Sequence, residues 1–194
     1  LFFISRHVLL VLDNFCEMVF IDHMTICIRD AQEDELDIVL KLVDEAYAPY
    51  RDLLPANTWK LWSDGMRKTL FSGDGEVVVA EFEAAIAGAV HFFSDVTPFT
   101  LVRWPEGAAT LRMLSVRDDM KGKGVGSMLM DECLRRARRC GSIGLYLLTT
   151  AYMKEAKRLY QRMGFIPCSG LDLSAFPPEE QVEAYYLALE KANG

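Results

Sequence analysis

The sequence predicts one mixed α/β sheet domain, and three observations predict it. The 194 residues suit a single domain, and a composition of 51% hydrophobic and 25% charged residues is that of a chain that folds around a core. Apolar periodicity switches repeatedly between about 3.6 and about 2 along the chain, as interleaved helices and strands require. A glycine-rich run, Lys121 to Ser127, separates a strand-like stretch from a helix-like one. The formal net charge of −7 argues against a protein that coats nucleic acid or an anionic membrane, since both need a basic face.

Residues 25–29 read as a short strand. A helix is expected over 33–47, with Leu36, Leu40, Val43 and Tyr47 on one stripe and Glu33, Asp34 and Glu35 in its first turn; Pro49 stops it. A second helix over 58–71 carries Trp59, Trp62, Met66 and Leu70 and ends at Ser72-Gly73-Asp74-Gly75. The β-rich runs 76–82 and 86–93 then form an antiparallel hairpin. A long loop over 94–107 comes next, with Pro98, Phe99, Arg103, Trp104, Pro105 and Glu106. Residues 110–116 are a strand, 117–124 a polar glycine-rich connection, and 125–140 a helix with Val125, Leu129, Cys133, Ala137 and Cys140 on its buried face. A strand over 143–149, a helix over 154–163 closed by Gly164, and strands over 165–168 and 182–190 complete the order. There are no repeats and no dividing linker.

Residues 1–23 are apolar, but the compact run 8–12 falls well short of the roughly 18 to 20 residues of a membrane span. Asp13, Asn14, Glu17 and Asp22 interrupt the stretch after that run, and no small-residue cleavage site appears. We expect Met24 to be the native start, with 1–23 a non-native or upstream extension and 24–194 one domain. The five cysteines are scattered, without a CxxC, and fit a reducing cytoplasm; Cys133 and Cys140 read as small buried hydrophobes, and no metal site is expected. Arg135, Arg136, Arg138 and Arg139 read as a solvated helix face near a C-terminus, where cations are favoured, with Asp131 and Glu132 four residues before Arg135 and Arg136.

The run Lys121-Gly122-Lys123-Gly124-Val125-Gly126-Ser127 has chemical meaning from its place. Glycines permit tight turning and close approach, and the amides and positive dipole end of the next helix favour an anion such as a phosphate or pyrophosphate. A solvated connection is the plainer reading. No glycine here is followed by Lys and then Ser or Thr, which excludes a Walker A loop. A GxGxxG reading from Gly122 meets Ser127 where glycine is required.

What fits is [Q/R]-x-x-G-x-[G/A], read as Lys121, Gly124 and Gly126, preceded by a strand and followed by Ala156-Lys-Arg-Leu-Tyr160-Gln-Arg-Met-Gly164-Phe165. The chain thereby resembles the GCN5-related N-acetyltransferase superfamily, with the motifs covering 110–166 and the element order extending the likeness from about residue 25 onward. The resemblance implies an acyl-CoA N-acyltransferase fold: a mostly antiparallel sheet, helices on both faces, and a V-shaped opening between two central parallel strands, here 110–116 and 143–149. It implies acetyl-CoA as co-substrate. The pyrophosphate would rest on the amides of Lys121, Gly122, Lys123, Gly124, Val125, Gly126 and Ser127, and the pantetheine arm would pair with the strand at Leu114, Ser115 and Val116. Lys121 replaces the usual Gln or Arg, losing the planar fork. Met153 takes the place of an Asn that often contacts the cofactor.

The resemblance further implies that a backbone N–H near Leu114, at a distorted strand centre, polarises the thioester carbonyl, and that Tyr160 is the general acid; by spacing alone Tyr160 is an aromatic on a buried helix face. Glu81 and His91 are the candidate bases, with Glu106 a third. Tyr47, Tyr50, Trp59, Trp62, Phe99, Arg103 and Trp104 fall in regions that shape an acceptor site in the resembling family, or are core. The expected activity is acetyl transfer to a primary amine of a small molecule in a ternary complex, in the cytoplasm, without nucleic acid or membrane partners and with dimerisation possible. A non-catalytic acyl-CoA-binding module and a protein or peptide acetyltransferase are the alternatives.

Overall fold

The computed structural model describes residues 8–10, 17–21, 24–96, 102–173 and 182–190, with the backbone alone at 8–10, 17–21 and 24. The strands are β1 (Val8–Leu10), β2 (Glu17–Ile21), β3 (Met24–Asp30), β4 (Glu76–Phe82), β5 (Ala85–Phe93), β6 (Ala109–Val116), β7 (Gly144–Thr150), β8 (Ile166–Pro167) and β9 (Val182–Ala188). The helices are α1 (Leu36–Tyr47), α2 (Ala56–Leu70), α3 (Val125–Arg139) and α4 (Lys154–Arg162). The sheet order is β1-β2-β3-β4-β5-β6-β7-β9-β8, mixed and mostly antiparallel, with helices flanking it. β1 and β2 fall in the segment expected to be an upstream extension, yet they continue the sheet beyond β3 with partners such as Val19↔Ile26 and Val8↔Val19.

The chain divides into two compact units, Leu1–His91 with Met113–Met130, and Phe92–Arg112 with Asp131–Gly194. In the first, the helix-period stripes bury as their spacing demands: Val39, Leu40 and Val43 of α1 and Met66 and Leu70 of α2 pack with Val79, Ala89 and Met113. Pro49 sits in the 3-10 turn after α1, where its fixed φ and missing N–H are tolerated. β4 and β5 are joined through Glu83 and Ala84 at φ +50 and +60, a two-residue turn of the kind that suits strand twist.

In the second unit, β6 and β7 are parallel, with Ala109↔Leu145 and Thr110↔Tyr146. β7 pairs antiparallel with β9 over seven residues, from Gly144↔Ala188 to Thr150↔Val182. The arginine face of α3 is not simply solvated. Glu132 is 4% exposed and accepts from Arg135 Nε at 2.7 Å and from Arg136 Nε at 2.6 Å, with Arg136 itself 6% exposed. A buried carboxylate must be paired, and these two guanidiniums supply the partners. Cys133 is buried as expected, whereas Cys140 is exposed because α3 ends one residue before it.

Cys133, Cys140 and Cys168 are reduced, while Cys27 on β3 is disulfide-bonded. Disulfides persist in oxidising surroundings, so that bond runs against the expected reducing compartment. Among the described residues no helix is long and apolar enough to cross a membrane. Among them, too, no group of three or more His, Cys, Asp or Glu could hold a metal ion.

Candidate functional site

The glycine loop lies in the first unit. A 3-10 turn over Asp118–Met120 leads into it, and Gly122 and Gly124 adopt φ of +76 and +84, a region that L side chains rarely enter. Gly124 immediately precedes α3, its carbonyl accepting from the Met128 amide at 3.0 Å. Amides of Met120, Lys121 and Lys123 are spent on the turn. Among the described residues those of Gly122, Gly124, Val125, Gly126 and Ser127 have no partner, as the first turn of a helix dictates. No acidic residue occupies that turn to compete with an incoming anion. The donor set therefore fits a phosphate group.

The cations beside it differ. Lys121 Nζ pairs with Asp118 at 2.5 Å, and Arg117 Nε with Asp119 at 2.6 Å. Hydrogen bonding from Arg117 holds the Asp119 carboxyl below its ordinary value. Lys123 forms no salt bridge among the described residues, its Nζ resting 4.0 Å from Met120 Sδ.

Upstream, β6 is distorted where a distortion was expected. Met113 has φ +56 inside the strand, and its carbonyl accepts from Ser115 Oγ at 3.1 Å. A left-handed residue in a strand turns the peptide that follows it, whose N–H is that of Leu114. Leu114 and Val116 are half-buried, and Met113 and Ser115 are buried. The Ser115 hydroxyl is therefore already engaged within the strand.

The two candidate bases also lie in this unit. Glu81 is bound by Arg29, Nε to Oε2 at 2.9 Å, while the same guanidinium grips Glu35 with two bonds of 2.7 Å. His91 is 2% exposed, and its Nε2 lies 2.7 Å from the Asp74 carbonyl. A carbonyl only accepts, so Nε2 carries the proton and Nδ1 is the basic ring atom. Tyr47, Tyr50, Trp59 and Trp62 form an edge-on cluster with centroids 5.6 to 6.3 Å apart, and the Arg51 guanidinium lies 5.3 Å over Trp59.

Tyr160 belongs to the second unit, on α4, 5% exposed and 6.0 Å from the Phe165 ring. Met153 precedes α4 and is buried. Trp104 packs on Tyr146, which stacks on Tyr186, each at 5.5 Å; burial pushes the Tyr146 phenol up. Arg103 and Glu106 are exposed, and Phe99 lies outside the described residues.

Residues 37–165, two-thirds of the chain, match the acetyltransferase (GNAT) family. The chain belongs to that family. Solved structures of similar fold include the acetyltransferase of the GNAT family from Staphylococcus aureus (TM-score 0.64, 16% identity, 85% of this chain and 99% of that one). The ribosomal-protein-alanine N-acetyltransferase from Brucella melitensis is another (0.56, 20%, 84% and 99%). A third is yncA from Salmonella typhimurium, solved with its cofactor acetyl-CoA (0.57, 17%, 87% and 96%). No curated protein sequence matches the chain. Sequence reasoning singled out the glycine loop and the Ala156 to Phe165 run that carry the resemblance. It missed the paired state of Lys121 and Glu81, because ion-pair geometry between distant or flexible side chains has no periodicity.

Proposed function

We propose that this GNAT chain transfers the acetyl group of acetyl-CoA to a primary amine of a small molecule, by direct attack with both substrates bound. The amide cradle of Gly122 and Gly124 to Ser127 before α3 carries this reading, since five unspent N–H groups at a positive helix end suit a pyrophosphate. Acetyl-CoA, when bound, supplies an activated acyl carbon. Lys123 adds the cation nearest to hand, and Lys121 can join once it exchanges Asp118 for phosphate. Leu114, Ser115 and Val116 offer backbone groups to the pantetheine arm, and the Leu114 amide, re-aimed by Met113, steadies the developing oxyanion.

Tyr160 holds the proton that the departing sulfur takes as its bond to the acyl carbon breaks. His91, through Nδ1, is the preferred acceptor of the amine proton, because Glu81 is committed to Arg29. A protein amine is the second reading, favoured by the similarity to an enzyme named for ribosomal-protein alanine. The reduced state of Cys133, Cys140 and Cys168 supports a cytoplasmic setting, and the Cys27 disulfide is the observation against it.

The test is thiol release from acetyl-CoA in the presence of a panel of small primary amines and of peptides with free N-termini. Release driven by a small amine is the expected result. Release driven by peptides alone selects the second reading. Saturable binding with no release for any amine contradicts catalysis and leaves an acyl-CoA-binding module.

A further inference from the structure

Three helices place opposite charges four residues apart. Lys41 of α1 lies 3.9 Å from Glu45, Lys60 of α2 pairs with Asp64 at 2.6 Å, and Glu132 of α3 pairs with Arg136 at 2.6 Å. Such pairs steady a helix, and like charges at the same spacing weaken it by a similar amount. On α4 that spacing joins like charges twice in succession: Lys154, Arg158 and Arg162 follow at four-residue intervals, and all three are exposed. None of them forms an ion pair or a side-chain hydrogen bond among the described residues. Lys154 is also the first residue of α4, at the end where the helix dipole disfavours a cation.

This ridge points away from the sheet. Lys157 Nζ reaches Glu183 of β9 at 2.7 Å and lies 6.0 Å from the centre of the Tyr185 ring, and Tyr160 is buried, so that side of α4 is the one that packs. Lys154, Arg158 and Arg162 occupy the opposite side, wholly within the second unit. A rise of about 1.5 Å per residue sets successive cations about 6 Å apart along the axis. In a chain of net charge −7 the ridge is a local reversal of sign, and an anionic partner would relieve both its internal repulsion and its clash with the dipole.

We propose that this outer face of α4 docks an acidic helical segment of a partner protein. Carboxylates at every fourth position of such a segment repeat at the same interval of about 6 Å, so one face of it meets the ridge charge for charge. Arg158 and Arg162 each offer a planar fork that a carboxylate fills with two bonds. A nucleic acid fits less well, because three cations neutralise few phosphates against the repulsion of an acidic chain. The exposed residues of α4 are Lys154, Glu155, Arg158, Gln161 and Arg162, which include no ring for a base to stack on. Glu155 beside the ridge repels a further phosphate and suits a basic residue on the partner. The inference is independent of the acetyltransferase reading.

The probe is a labelled, alanine-based helical peptide with glutamate at every fourth position, its binding to the full chain followed by fluorescence anisotropy. The same peptide with glutamine in place of glutamate is the control, and a single-stranded oligothymidylate is the competing anion. Wild type is expected to bind the glutamate peptide saturably and the glutamine peptide not at all, with affinity falling about 10-fold between about 0.05 M and about 0.3 M salt. Arg158→Gln should weaken binding about 5-fold or more, whereas Arg138→Gln, at an exposed cation of α3 outside the ridge, should stay within about 2-fold of wild type. R158Q should unfold at no lower a temperature than wild type, because it relieves repulsion along α4. No binding of the glutamate peptide by wild type, or equal affinity in R158Q and wild type, overturns the inference. Equal weakening in R138Q and R158Q overturns it too, since that reports overall charge and not a ridge. So does oligothymidylate that binds more tightly than the peptide at the same salt, which assigns the face to nucleic acid. A loss of thermal stability in R158Q also overturns it, since that gives Arg158 a partner within the fold.

Discussion

A Cβ placed on Gly88 would come within 2.8 Å of Val125 Cγ1. It would also stand 3.0 Å from Leu129 Cδ1 and 3.0 Å from the Ser115 carbonyl oxygen. The missing side chain on β5 thus lets α3 and β6 approach, and Val125 is the residue with which α3 begins, inside the row of unspent amides. Gly88→Ala is expected to cost about 1–3 kcal/mol, the usual range for overpacking a filled core. Urea unfolding should show a lower midpoint at an unchanged slope, and a midpoint equal to wild type contradicts this account of the packing.

Tyr160→Phe removes the proton donor and leaves the ring against Phe165. It should lower kcat by about 10-fold or more, the scale of general acid catalysis, while the Kd for acetyl-CoA stays near that of wild type. A kcat that does not change across the pH range removes Tyr160 from the mechanism.

The ion network of Arg29 makes a separate pH prediction. Hydrogen bonding from Arg29, aided by the Gln32 amide at 2.8 Å, holds the Glu35 carboxyl below its ordinary value of 4.5. A depressed folded value means that this contribution to stability is complete above 4.5 and is lost as pH falls through the depressed value. Glu35→Gln should lower the unfolding temperature by about 2–4 °C near neutral pH, taking the network's contribution as about 1 kcal/mol. It should also flatten the decline that wild type shows below pH 4.5. Equal acid sensitivity in the two proteins would remove Glu35 from the acid response.

How far these features are legible in the sequence depends on what generates them. The stripes of α1 and α3 are readable because Leu40 and Val43, or Leu129 and Cys133, repeat at helical spacing and bury accordingly. The glycine loop is readable because backbone at φ +76 and +84 selects for glycine. Met113 is not, since a methionine in a left-handed conformation leaves no mark in composition and only the family resemblance points to a distorted strand near Leu114. The turn at Glu83 and Ala84 lacks the Asn-Gly or Asp-Gly signal of its class. β2 escapes notice because Glu17 and Asp22 invite a reading of the N-terminal segment by its charges, whereas its pairing with β3 is a tertiary fact. The long-range bond between Arg29 and Glu81 spans chain positions that no periodic signal connects.

The central claim is that the loop before α3 holds the pyrophosphate of acetyl-CoA, and calorimetric titration of wild type beside Gly124→Val tests it most directly. Gly124 has φ +84, so a β-branched side chain there forces the backbone out of the conformation that presents the amides. Saturable binding to wild type and its loss in G124V are the predicted result, with both proteins giving the same cooperative unfolding. A folded wild type that takes up no acetyl-CoA, or a G124V that binds it equally well, contradicts the claim.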